Sequence, residues 1–172
     1  NDDKSEEKEI HIYLFSTSEL YLEPEDSDNP HAKWVVPCDV SNWLTHEKDK
    51  VFIQSQLPII NYYQNQLLEI KTSVGTEPDA EKLASYLIDN KLAACVQIVG
   101  PSKSIYRWKN AINIDNEFYL TIKTLRKKLK VCEEAIKNIH PYDCPELIAN
   151  AFECVDAEFH SWALNAISNK YN

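Results

Sequence analysis

From residue 66 to its end the sequence predicts an α+β fold, a ferredoxin-like split βαβ sandwich with an extra C-terminal helix. Three observations predict it. Short apolar runs and helix-period segments follow one another in the order β, α, β, β, α, β, α. The helices carry start and stop signals, from a cap at Thr76 to a break where His140 meets Pro141. Two of the strands are joined by a tight turn, as in an antiparallel hairpin.

Leu67 to Thr72 reads as the first strand. Thr76 then suits an N-cap, Pro78 the first turn and Asp79 the answer to the cap, with Ala80, Leu83, Ala84, Leu87 and Ile88 at helical spacing. Ala94 to Val99 is a strand interrupted by Gly100 and Pro101 and resumed at Ser104 to Trp108, which one long bent strand would explain. Asn110 and Ala111 form the turn, and Phe118, Leu120 and Ile122 alternate with Tyr119, Thr121 and Lys123 as in a half-buried strand. A second helix places Leu125, Leu129, Cys132, Ile136 and Ile139 on one face. Glu146 to Phe152 is a further strand, and Asp156 caps a last helix bearing Phe159, Trp162, Ala163, Ala166 and Ile167.

Residues 1–65 read as an acidic, partly ordered extension ahead of the 66–172 domain. Residues 1–70 hold 14 acidic and 5 basic side chains, whereas 71–172 hold 13 of each, so the net charge of −9 comes from the N-terminal part. A charge-balanced body with an acidic extension is not a nucleic-acid binder, whose affinity needs Lys and Arg against phosphate. Residues 1–9 lack an apolar anchor and are expected to be mobile, Ile10 to Phe15 resembles a strand, and Glu23 to Pro30 a loop. Residues 31–65 carry Trp34, Val35, Trp43, Phe52, Ile53 and Leu57 among Pro37 and Pro58, with no sustained periodicity. No stretch reaches the length of a membrane span. The five cysteines show no C-x-x-C pair and fit a reducing compartment. The chain begins at Asn1 and has no methionine, which predicts that a segment lies upstream. If that was a targeting segment, the compartment is organellar and plastid-like; otherwise it is cytoplasmic.

Three blocks carry a family resemblance: Lys91-Leu92-Ala93-Ala94-Cys95-Val96; Ser104-Ile105-Tyr106-Arg107-Trp108 with the strand ending Ile122-Lys123-Thr124; and His140-Pro141-Tyr142-Asp143-Cys144-Pro145-Glu146-Leu147-Ile148-Ala149. In order and spacing they resemble the CutA family, named for divalent-cation tolerance. The resemblance implies a homotrimer, similar to the PII signal proteins, that binds a divalent metal such as copper in metal tolerance, homeostasis or signalling. It implies no enzyme activity and no organic cofactor. Trimerisation also suits a long hairpin whose open strand edges would otherwise invite aggregation. The alternative is a structural trimer that recruits a protein partner through residues 1–65 with no required ligand.

Candidate metal ligands are His140, Cys144 and Cys95. Copper-linked bacterial members carry a cysteine and a further histidine where this chain has Thr72 and Ile139, so of that set only His140 remains. The bland readings stand beside these: His140 as a structural residue orienting the Pro141–Pro145 turn, and Cys95 as a small core residue. Lys123, Glu146, Tyr106, Trp108 and Tyr142 are candidates for lining a polar cleft between subunits, where Lys123 would hold a small anion. The alternative is a Lys123–Glu146 ion pair that sets subunit register, with Trp108 as an interface anchor. With only Gly75 and Gly100, the chain has no Gly-rich phosphate loop, and no catalytic signature appears.

Overall fold

The computed structural model describes residues 33–168. The expected strand at residues 10–15, the loop at 23–30 and the mobile residues 1–9 lie outside that range. Chain contacts set the unit that begins at Val36 apart from the residues before it.

This unit opens with a short 3-10 turn, Pro37–Asn42, and helix α1, Glu47–Gln64. This helix is the main departure from the sequence reading of residues 31–65. It runs through Pro58 and buries none of its residues, so its apolar side chains follow no single face. A helix of that kind leaves no period to detect.

Strand β1 (Leu67–Val74), helix α2 (Glu77–Asp89), β2 (Cys95–Trp108), β3 (Ala111–Leu125), α3 (Leu129–Ile139), β4 (Ile148–Ala151) and α4 (Ala157–Ile167) complete the chain. The order is the predicted one, with two small corrections. Leu125 ends β3 and does not belong to α3, and β4 is four residues long, shorter than expected. Both predicted caps form: the Asp79 amide donates to Thr76 Oγ1 and the Phe159 amide to Asp156 Oδ1.

The four strands lie in the order β2-β3-β1-β4 with all neighbours antiparallel. Even-numbered residues of β1 and β3 point to α2 and α3, where Ile70, Val74, Leu83, Leu87, Leu120, Ile122, Cys132 and Ile136 form the main core. Odd-numbered residues point to the opposite face. There α4 covers only one end, burying Leu67 and Leu125 against Ala163 and Ile167. Among the described residues no helix covers the other end of that face.

Strands β2 and β3 continue past the end of β1, which stops at Val74 opposite Phe118. They form a hairpin arm whose tip is the Lys109–Asn110 pair, both at positive φ (46° and 65°). The turn therefore centres one residue earlier than expected, in the two-residue hairpin geometry that matches strand twist. Between Val99 and Ser102 the register slips by one residue. Gly100 sits in that slip because nothing larger fits: an added Cβ would lie 2.8 Å from Phe118 Cδ1 and 2.9 Å from the Glu117 carbonyl oxygen.

Candidate functional site

The slip in β2 decides what the arm presents. Paired residues of an antiparallel ladder share a face, and one extra residue moves every later side chain to the other side. Val99 is opposite Tyr119, and after the slip Ser102 is opposite Glu117 and Ser104 opposite Asp115. Ser102, Ser104, Tyr106 and Trp108 consequently share the face of Glu117 and Asp115, opposite α2 and α3. Ser104 Oγ lies 3.3 Å from the Tyr119 hydroxyl, and the Tyr106 hydroxyl donates to Asp115 Oδ2 at 2.8 Å.

A second wall comes from the loop after α3. The residue before Pro141 is extended, so α3 ends at His140 and the chain turns back over the end of β1. The Tyr142 amide donates to His140 Nδ1 at 3.1 Å. Nδ1 is thus an acceptor, which makes Nε2 the protonated nitrogen, donating to the Ser73 carbonyl at 3.1 Å with Thr72 Oγ1 3.2 Å away. Burial lowers the His140 pKa, with the Ser73 bond opposing it in part. So held, the imidazole ties the loop to β1 and sends Tyr142 forward, where its hydroxyl donates to Glu117 Oε1 at 3.1 Å. Burial first, and then the Glu117 contact, push the Tyr142 phenol up to about 12, so it remains a neutral donor.

Between these walls lies a cleft of about 690 Å³, on which Tyr106, Trp108, Tyr119, Tyr142, Glu117, Asp143, Cys144 and Glu146 all open. Five residues singled out in the sequence, Tyr106, Trp108, Tyr142, Cys144 and Glu146, are therefore brought together. Lys123 is not among them within one chain. It lies opposite Cys95 and Glu69, toward the α4 end of the sheet, and its ammonium donates to Gln97 Oε1 at 2.7 Å. Without Lys123 the cleft's own charge is acidic, with Glu117, Asp143 and Glu146 against Lys103.

The metal candidates also separate. Both His140 nitrogens are engaged internally, Cys95 is half-buried in β2 at the level of Lys123, and Cys144 is exposed in the loop. Among the described residues no three His, Cys, Asp or Glu side chains converge as metal ligands. The described His140, Cys144 and Cys95 thus do not converge within one chain, and the two His140 nitrogens tie the loop to β1.

The residue that sequence reading missed is Glu117. It is 7% exposed, accepts from Tyr142, and has no ion pair among the described residues. Its position in an alternating strand gave a weak signal: Glu117 falls in the same alternating set as Tyr119 and Lys123, which reads as the solvent face until the slip in β2 and the returning loop enclose it.

Residues 69–166 match the family described as CutA1 divalent ion tolerance protein, more than half of the chain. The chain belongs to the CutA family. Its CutA region is 36% identical over 90 residues to the divalent-cation tolerance protein CutA of Thermus thermophilus, covering 52% of this chain and 87% of that one. To the chloroplastic CutA protein of Arabidopsis thaliana it is 33% identical over 100 residues, covering 58% and 55% of the two chains. The crystal structure of CutA1 from Oryza sativa superimposes with a TM-score of 0.59 at 32% identity, over 60% of this chain and 95% of that one. The CutA match bears out the ferredoxin-like reading and spans every cleft residue, whereas α1 lies ahead of it. The CutA name denotes tolerance of divalent ions and not a reaction. No helix among the described residues is long and apolar enough to cross a membrane.

Proposed function

We propose that this CutA-family chain works as a homotrimer in divalent-cation tolerance, without catalysis, and holds a divalent metal such as copper with ligands contributed by more than one copy. The observation that carries the proposal is the pair of open sheet edges. In the arm, Ile105, Ile112 and Ile114 are exposed, and β4 exposes all four of its residues at the other edge. Unpaired edges of this length are normally covered, and copies of the same chain are the simplest cover. Asp143, Cys144 and Glu146 then stand on an exposed loop beside the arm. Cys144 is the soft donor among them. Chloroplastic relatives from Arabidopsis and rice support an organellar compartment over the cytoplasm.

The test combines mass in solution with thermal unfolding, with and without one equivalent of copper or zinc. A trimeric mass and a metal-dependent rise in Tm that Cys144→Ala abolishes are expected, because a ligand that binds only the folded state must stabilise it. A monomer, or a trimer indifferent to both metals, would overturn the reading.

One observation favours the second reading, a scaffold that recruits a protein partner. Helix α1 exposes Val51, Ile59 and Tyr62, the last by 78%, and lies outside the CutA match. A protein that co-purifies with the full chain and not with residues 66–172 would support it; identical co-purification profiles would remove it.

A further inference from the structure

We propose that the cleft at the root of the hairpin arm binds a small organic cation of the primary alkylammonium class, a diamine or polyamine. The inference rests on side chains of one chain and involves no metal.

Charge sets the sign of the ligand. Glu117 is nine-tenths buried, and among the described residues its carboxylate accepts from one side chain, the phenol of Tyr142. A buried carboxylate with a neutral partner and no cation is costly, and a bound cation is what offsets the cost. Lys103 also lines the cleft, but among the described residues it forms no ion pair with Glu117, and the three carboxylates outnumber it. Asp143 and Glu146 at the mouth add further negative charge.

The walls set its chemistry. Tyr106, Trp108, Tyr119 and Tyr142 supply four aromatic rings around one cleft. Aromatic faces attract ammonium groups through the ring quadrupole, whereas they contribute little to a divalent metal, which takes oxygen, nitrogen or sulfur donors. Trp108 already meets an ammonium on the arm itself, with Lys109 Nζ 6.0 Å from the ring centre, at the outer limit of such contacts. Two of the phenols donate to carboxylates, Tyr106 to Asp115 and Tyr142 to Glu117. Hydrogen bonds to anions leave these rings electron-rich and turn their hydroxyl oxygens into acceptors. A primary ammonium has three N–H donors for Glu117 and those oxygens, while a quaternary one has none. The volume of about 690 Å³ lies within the usual range for a small-molecule site and is large for a single hydrated ion. Carboxylates at both the floor (Glu117) and the mouth (Asp143, Glu146) suit a ligand charged at two ends.

The experiment is isothermal titration of the full chain with putrescine, tetraethylammonium and copper in turn, at low salt. Wild type is expected to bind putrescine saturably. Trp108→Leu, at a half-exposed position and with its mass in solution compared with wild type, is expected to weaken binding about tenfold. Glu117→Gln is expected to weaken it at least as much, and its unfolding curve and mass show whether it is folded. Cys144→Ala should leave putrescine binding unchanged even where it removes a copper response, which separates this proposal from the metal reading. No saturable putrescine binding, or binding unaffected by both Trp108→Leu and Glu117→Gln, would overturn the proposal. Tetraethylammonium binding as tightly as putrescine would overturn the choice of a primary ammonium.

Discussion

The Tyr142 hydroxyl donates to the Glu117 carboxylate across 3.1 Å, and this bond joins the loop after α3 to the root of the hairpin arm. Two segments 25 residues apart in the sequence are linked by this phenol. Tyr142→Phe keeps the ring and removes the donor, leaving a buried carboxylate without its partner. The expected loss is about 1–3 kcal/mol, read as a lower urea midpoint at an unchanged slope. An unchanged midpoint would mean that water replaces the phenol without cost.

Gly100 predicts a sharper effect than Gly75. A methyl group at Gly100 meets backbone as well as a ring, with Glu117 O at 2.9 Å and Phe118 Cα at 3.0 Å, so the two strands must part. Gly100→Ala should cost about 1–3 kcal/mol, as overpacking does, and disturb the slip that turns Tyr106 and Trp108 into the cleft. Gly75→Ala meets only the Tyr142 hydroxyl, at 3.2 Å, and should be milder. Equal Tm values for wild type and Gly100→Ala would contradict this packing.

His140 predicts an acid sensitivity. Its pKa is lowered in the folded chain, chiefly by burial, while Ser73, Asp79 and Glu117 act in the opposite direction. The unfolded chain therefore takes up the proton first as pH falls. The stabilisation is present above the ordinary histidine value of about 6.5 and is lost as pH falls through the lower folded value. Protonated Nδ1 can no longer accept from the Tyr142 amide, so the loop should loosen in the same window. Tm measured from neutral to mildly acidic pH should fall more steeply for wild type than for His140→Gln; parallel curves would show that His140 is not the group responsible.

The cysteines should react in a fixed order. Burial pushes the Cys132 thiol up, and its Sγ donates to the Leu92 carbonyl at 3.2 Å, whereas Cys38 and Cys144 are exposed. Mass spectrometry after brief maleimide treatment should find Cys38 and Cys144 modified and Cys132 unmodified until denaturant is added. Early labelling of Cys132 would indicate that α3 lifts from the sheet in the native state.

Helix α1 is held at its C-terminal end by polar contacts. Arg126 Nε and Nη2 both donate to Gln66 Oε1, at 3.0 and 2.7 Å, and the guanidinium lies 4.4 Å from the Tyr63 ring centre. Arg126→Ala should speed tryptic cleavage within α1, at Lys48 and Lys50, several-fold while moving the main unfolding transition little. Cleavage at the wild-type rate would mean that other contacts hold the helix.

Much of the domain was legible in the residues themselves. The Thr76 and Asp156 caps, the His140-Pro141 stop and the alternation of Leu120 and Ile122 are local signals, and each formed as read. Helix α1 was not legible, because a helix that buries no residue leaves no periodic stripe. Glu117 was not legible as a buried charge for a different reason: its surroundings come from Gly100, Tyr142 and Ser73, none of them near it in sequence.

Sequence alone determined the element order and the family, since periodicity, caps and spaced blocks are properties of short stretches. Tertiary structure alone decided that Lys123 points elsewhere, that both His140 nitrogens are engaged, and that the cleft is acidic. Those facts depend on strand register and on a single-residue slip. A slip of one residue changes the face of every side chain beyond it while leaving the local sequence pattern intact.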